Sequence, residues 1–150
     1  MGKTAFSGPV YGAKSLLWTV HRDNQLPAAN DTTTVTIASI RVPAYEQWLV
    51  TEFKGYRGSS QSTAVTSTWN LTDDSTVIAD LVTPAASSGA ALLMSTTPTP
   101  TAGEYEGVLV AENSTLSLTI GHGGSSAAIS SDVTAWVYGY VRYIDSTRAV

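Results

Sequence analysis

The sequence contains no cysteine and only two histidines. The lack of cysteine excludes disulfides, thiol nucleophiles and thiolate metal sites. Because histidine is the side chain that titrates near neutral pH, few groups could act as a general base or a nitrogen ligand. Charged residues make up 13% of the chain, about half the usual share of ~25%. We therefore expect no enzymatic activity, no metal and no cofactor.

Basic clusters and long apolar runs are also missing. The net charge is −4, and the eight lysines and arginines are scattered along the chain. Since nucleic-acid binding depends on clustered basic residues, we expect no nucleic-acid partner. No apolar run approaches the roughly 18 residues that a transmembrane helix requires, so we expect no membrane association.

Serine and threonine are abundant, at about a quarter of the chain. They occur in short alternating segments separated by turn-forming residues, a pattern typical of β-strands. The segments most typical of strands are 32–42, 47–58, 62–71, 76–83, 91–96, 105–112, 114–120 and 133–144. With seven to nine short strands and no convincing long helix, the sequence predicts an all-β fold: an antiparallel, jelly-roll-like β-sandwich.

Several local features refine this prediction. The alternation in 32–42 changes phase once, which predicts a β-bulge. Segment 43–58 fits helical spacing as well as alternation, and we favour a strand because its neighbours are strand-like. Residues 72–75 and 121–126 are expected to form turns, and 105–120 a hairpin across Glu112–Asn113.

The chain is expected to form one sandwich domain over 32–150, preceded by an extended N-terminal arm over 1–31. Glycines and prolines interrupt any periodic pattern in the arm. One apolar piece within it, "SLLWTV" (15–20), is compatible with either a first strand or a docking segment.

The segment "AWVYGYVRYI" (135–144) concentrates aromatic residues in the last predicted strand. Alternation places Trp136, Tyr138, Tyr140 and Arg142, together with Ile144, on one face. The other face is smaller and suits the core; it holds Ala135, Val137, Gly139, Val141 and Tyr143. Tyrosine and tryptophan favour interfaces because a large apolar ring carries a polar group. The first face is therefore either a seam between subunits or a surface covered by the arm of the same chain.

Few residues suggest a catalytic or metal-binding role. His21 and His122 are best explained as a surface residue and part of a mobile turn. Glu104 and Glu106 could form a carboxylate pair of the kind used in glycoside hydrolysis, but a solvated strand edge is the better interpretation. Asp73–Asp74 could offer oxygen ligands to Ca²⁺, although the spacing of a calcium loop is absent.

The opening "TAFSGPVYG" (4–12) resembles the N-terminal arms of small structural proteins of tailed-phage heads. The closing segment 115–144, two strands around a Gly/Ser turn, is similar to the last strand pair of those proteins. The resemblance covers the two ends of the chain and not its middle.

This resemblance implies a capsid decoration protein, one that binds the outer surface of the major capsid protein lattice and commonly forms homotrimers. In such a virion protein, Phe6, Pro9, Val10 and Tyr11 would bind the capsid. The trimer interface would be formed by Trp136, Tyr138, Tyr140 and Arg142.

Two other functions remain open. One is another part of the virion: a tail, baseplate or head-fibre component with the same fold. The other is a carbohydrate-binding module, because exposed aromatic rings on a β-sandwich can stack on sugars.

Overall fold

The computed structural model describes residues 13–23, 34–58, 66–83, 92–101, 106–123 and 132–144, except for the side chains at 66, 83, 92, 122 and 123. These residues form nine β-strands and no helix, and hence no helix that could cross a membrane. The strands are β1 (Ser15–Arg22), β2 (Val35–Arg41), β3 (Glu46–Arg57), β4 (Thr66–Asp73), β5 (Thr76–Thr83), β6 (Leu92–Thr96), β7 (Val108–Val110), β8 (Thr115–Gly123) and β9 (Val133–Tyr143).

The strands form two antiparallel sheets that pack face to face. The first sheet has the order β1-β9-β3-β6, and β7 also pairs with β3. The second sheet has the order β2-β8-β4-β5. Side chains from both sheets form one hydrophobic core between them. The predicted antiparallel β-sandwich is confirmed.

The core follows from the alternation of apolar and hydroxyl residues along the strands. In β8, Leu116, Leu118 and Ile120 are fully buried, whereas the serine and threonine between them point away from the core. Trp69 of β4 is also fully buried, and a Cβ atom at Gly55 of β3 would lie only 2.9 Å from its ring. Glycine at position 55 therefore leaves the space that the indole of the facing sheet occupies.

β-Bulges change which residues face the core. In β2 the register shifts between Thr36 and Ala38, so the predicted bulge is confirmed and lies at Ile37. Further shifts occur at Thr51 in β3 and at Ile78 in β5. Each bulge adds one residue to a strand and thereby reverses the alternation beyond it.

Segment 43–58 is a strand from Glu46 onward, as we favoured. The predicted hairpin over 105–120 is wrong, because β7 pairs with β3 in the first sheet while β8 pairs with β2 and β4 in the second. The turn at Asn113 instead carries the chain from one sheet to the other, and the Asn113 amide donates a hydrogen bond to the Val42 carbonyl at 3.0 Å. The turn predicted over 121–126 does not begin at residue 121, because β8 continues to Gly123 opposite β4.

Strand β1 lies inside the segment 1–31 that we expected to form an arm. It pairs with β9 along its length, so the apolar piece at 15–20 is a strand of the first sheet. Of the rest of that segment, only residues 13, 14 and 23 are among the described residues.

Candidate interaction surface

Strand β9 has the two faces that its sequence predicts. Val133, Ala135 and Val137 are buried in the core. Between and beyond them, Trp136, Tyr138, Tyr140 and Arg142 are half-buried on the outer side of the first sheet. One assignment is wrong: we grouped Tyr143 with the core-facing residues, but it ends the strand and is 75% exposed.

Neighbouring strands extend this outer surface on both sides. Leu16 of β1 and Glu52 of β3 are opposite Tyr138, and Thr19 and Lys54 are opposite Trp136. Leu16 is 47% exposed. We call this surface the aromatic face; it is formed by Leu16, Thr19, Leu49, Glu52, Lys54, Tyr56, Leu93, Trp136, Tyr138, Tyr140 and Arg142.

The middle of the aromatic face carries a small charge network. The carboxylate of Glu52 forms two ion pairs: its Oε1 lies 3.0 Å from the ammonium of Lys54, and its Oε2 lies 3.4 Å from the ammonium of Lys14. The Lys54 ammonium also lies 5.3 Å from the centre of the Tyr138 ring. The hydrogen bond from Lys54 is the main reason that the pKa of the Glu52 carboxyl lies below its usual value; partial burial acts in the opposite direction. The aromatic face thus carries two cations, Lys54 and Arg142, and one carboxylate, and Lys14 adds a third cation at its margin. Its net charge is positive on a chain whose net charge is −4.

Leu49 belongs to the aromatic face although it is only 4% exposed. Its neighbours along the strand, Trp48 and Val50, point into the core, so Leu49 points outward between Tyr140 of β9 and Leu109 of β7. Beside them, the side-chain oxygen of Gln47 is buried and accepts no hydrogen bond from any described residue. Sequence analysis missed Leu49 because two adjacent apolar residues do not reveal which of them faces the core.

The outer surface of the second sheet has a different chemistry. Ser39 of β2 and Ser117 of β8 are directly opposite each other, with their hydroxyl oxygens 2.8 Å apart. The Thr72 hydroxyl donates to the Ser117 carbonyl at 3.4 Å. This hydroxyl face is formed by Thr36, Ser39, Thr68, Asn70, Thr72, Ser117 and Thr119. The two outer surfaces of the sandwich are therefore chemically distinct.

Strand β5, at the edge of the second sheet, is an exception to that polar character. Because of the bulge at Ile78, Val77 shares the outer surface with Asp80 and Val82. Val77 is 52% exposed and Val82 is 57% exposed. We call Val77, Asp80 and Val82 the β5 strip. Simple alternation would have placed Val77 with the core residues Ala79 and Leu81, which is why the strip was not predicted.

Tyr45 is a further residue that the sequence did not single out. Its backbone has φ 67°, a left-handed conformation that is unusual for a bulky side chain. Its amide donates to Glu112 Oε2 at 2.8 Å, and its carbonyl accepts from the Ile144 amide at 2.7 Å. These two bonds hold the backbone in place while the ring remains 57% exposed.

Among the described residues, the side chains considered for catalysis or metal binding do not lie together in one site. His21 is exposed, with ring nitrogens 2.8 Å from the Thr134 hydroxyl and 3.0 Å from Asp23. Asp74 occupies the β4–β5 turn, as expected, and accepts a hydrogen bond from the Thr115 amide at 3.0 Å. Within the part of the chain that the structure describes, no three acidic or histidine side chains form a metal-binding group. Two candidates fall outside it: Glu104, and the side chain of His122.

The four predicted capsid-binding residues, Phe6, Pro9, Val10 and Tyr11, lie outside the described residues. The four predicted interface residues, Trp136, Tyr138, Tyr140 and Arg142, are together on the aromatic face. Comparison of the chain with protein-family models and with curated proteins finds no match.

Proposed function

We propose that the protein is a structural virion protein that decorates the outer surface of a phage capsid. It binds the lattice of the major capsid protein, stabilises that lattice, and assembles as a trimer. The observation that carries this proposal is the asymmetry of the sandwich: one outer surface bears Trp136, Tyr138 and Tyr140, and the other bears hydroxyl groups. An aromatic surface of this kind suits burial against protein, whereas a hydroxyl surface suits water.

The strand order supports the jelly-roll form of the fold. Consecutive strands β1, β2, β3 and β4 alternate between the two sheets, and β5 and β6 again lie in different sheets. Apart from β7, the fifth strand of the first sheet, the orders β1-β9-β3-β6 and β2-β8-β4-β5 are those expected of a four-plus-four jelly roll with two Greek keys. Jelly rolls of this type are common in viral capsid proteins.

In this proposal the two ends of the chain have separate tasks. The N-terminal arm, with Phe6, Pro9, Val10 and Tyr11, reaches a neighbouring capsid subunit, while the aromatic face of the sandwich joins the copies to one another. Many copies on one lattice reinforce each other because every bound contact holds the next one nearby. No chemical reaction is required.

The experiment is a binding assay with undecorated heads of the phage that encodes the chain. Purified protein is mixed with the heads and pelleted, and the bound fraction is measured. Deletion of residues 2–12 should abolish binding while leaving the thermal unfolding of the sandwich unchanged, because the deletion stops before Lys14 and β1. Replacement of residues 2–12 by a Gly/Ser segment of equal length is the matched control. Undiminished binding by both variants would refute the role of the arm, and no binding by the wild-type chain would refute the capsid assignment.

A carbohydrate-binding module is the second candidate, and the partly exposed rings of Trp136 and Tyr138 favour it. Sugar rings stack on such side chains. The adjacent Lys54 ammonium could donate a hydrogen bond to a sugar, and the Thr19 hydroxyl, which donates to the Ala135 carbonyl at 3.2 Å, could accept one. A glycan array distinguishes the two functions. Specific glycan binding that is lost on Trp136→Ala, together with no binding to heads, would favour the module.

A further inference from the structure

We propose that copies of this protein associate through two different surfaces, with the aromatic face of one copy against the β5 strip of the next. This inference rests on the self-association included in the proposed function and specifies how the subunits meet. Its test needs no capsid, so it can fail or succeed independently of capsid binding.

Exposed apolar side chains identify the two surfaces. Among the described residues, the large apolar side chains with the greatest exposure occur on the aromatic face, on the β5 strip and at the Tyr45 end of the sandwich. Leu93 of the aromatic face is 65% exposed, and it lies directly opposite Tyr56, another exposed residue. On the strip, the two exposed valines flank Asp80. Apolar groups clustered in this way lose contact with water when a partner covers them.

The charges of the two surfaces favour contact of the aromatic face with the β5 strip over contact of either surface with its own kind. The aromatic face, with Lys14 at its margin, carries three cations and one carboxylate. The strip carries Asp80, with Asp74 in the adjoining turn and no cation from 74 to 83. Two aromatic faces in contact would bring like charges together, and so would two strips. Of these three contacts, only that of a face with a strip brings a surface of net positive charge against one of net negative charge while burying the exposed leucines and valines.

The positions of the two surfaces allow one copy to use both at once. The aromatic face is the outer side of the first sheet, whereas the strip is on the outer side of the second sheet at its edge strand. An interface between unlike surfaces is heterologous, and it produces a closed ring when the rotation closes. The trimer of the proposed function requires that the rotation closes after three copies, because the same contact otherwise produces an open filament.

The experiment mixes two variants, each defective at one surface. Leu16→Glu places a carboxylate on the aromatic face, and Val82→Glu adds one to the strip. Both side chains are exposed, so neither substitution should disturb the core. Thr36→Glu, on the exposed hydroxyl surface of β2, is the control with the same charge change. Mass is measured for each full-length chain by native mass spectrometry and analytical ultracentrifugation, and folding by circular dichroism.

We expect the wild type and Thr36→Glu to self-associate, and each defective variant to associate at least about tenfold more weakly. An equimolar mixture of Leu16→Glu and Val82→Glu should form a complex with one copy of each, because an intact strip then meets an intact face. Higher salt should weaken this complex. A wild-type chain that stays monomeric would overturn the inference, as would self-association of the wild type without any complex in the mixture. Formation of the mixed complex together with failure to bind heads would refute only the capsid assignment.

Discussion

The ammonium group of Lys54 lies 5.3 Å from the centre of the Tyr138 ring, so a cation on β3 covers an aromatic ring on β9. A contact of this type contributes about 0.5–1 kcal/mol at an exposed site and more when a partner excludes water. The same ammonium is 3.0 Å from Glu52, which also contacts Lys14. This arrangement orients Tyr138 and Lys54 before any partner arrives.

Glu52→Gln should lower the free energy of unfolding at pH 7 by less than about 1 kcal/mol, as is usual for a partly exposed ion pair. The pKa of Glu52 is lowered in the folded state from 4.5, so its stabilising effect is present above pH 4.5 and is lost as pH falls through the folded pKa. Urea unfolding at several pH values measures the effect. If the free energy of unfolding of Glu52→Gln were below that of the wild type by the same amount from pH 7 to low pH, the ion pairs of Glu52 would not be the cause.

Asp73 should show the opposite pH dependence. Partial burial, the main cause, raises the pKa of Asp73 above 3.8; a hydrogen bond with Ser114 acts against it, and the nearby charge of Asp74 adds to it. Between pH 3.8 and the folded pKa, the folded protein keeps a proton on Asp73 that the unfolded chain has released. The free energy of unfolding therefore falls as pH rises from about 3.8 through the folded pKa.

We expect Asp73→Asn to raise the free energy of unfolding at pH 7 and to have little effect at low pH, as measured by urea unfolding. The amide oxygen can still accept a hydrogen bond from Ser114. Asp80→Asn, at an exposed position on the next strand, is the control. If the variant gained as much stability at low pH as at neutral pH, burial of the charge would not be the cause.

Gly139 should tolerate no side chain. It lies opposite Val50 beside the Thr51 bulge, and an added Cβ would overlap the carbonyl oxygen of Leu49. Gly139→Ala should therefore destabilise the protein by about 3 kcal/mol or prevent folding. At Gly58 an added Cβ would meet its nearest atom, Cβ of Asp132, at 3.4 Å, so Gly58→Ala should fold almost normally. If the two variants were equally stable to heat, the backbone at Leu49 would be able to move away from a side chain at position 139.

Tyr45→Gly should stabilise the fold by up to about 1 kcal/mol, because glycine has no penalty in the left-handed region that φ 67° occupies. Tyr143→Gly removes a ring that is even more exposed, at 75%, from a strand and should destabilise the protein by about 1 kcal/mol. Thermal unfolding measures both changes. Destabilisation by both substitutions would show that the Tyr45 ring contributes to folding. Stabilisation accompanied by weaker binding to heads would place the ring in a contact with a partner.

Local alternation in the sequence was enough to identify the strands from β2 to β9 and, apart from Tyr143, the two faces of β9. It left segment 15–20, which is β1, open between a strand and a docking segment. It also revealed the bulge at Ile37, because Val35 and Ile40 could not share a face without one. These features depend on neighbouring residues, which the sequence displays directly.

The sequence did not reveal which distant strands pair with each other. The short strand β7 pairs with β3, more than 50 residues earlier in the chain, and so the expected hairpin with β8 does not form. The bulges at Thr51 and Ile78 left no clear trace, because hydroxyl and apolar residues mix freely around them. For that reason the outward positions of Leu49 and Val77 emerged only from the structure.

The central claim is that the aromatic face functions by being buried against protein on a capsid. We propose a tailed phage as the source of the chain, and an electron cryomicroscopy map of that particle tests the claim most directly. We predict density for the sandwich on the outside of the shell, with Trp136 and Tyr138 covered by another copy. A particle without the chain, or a bound copy whose aromatic face points into solvent, would contradict the account.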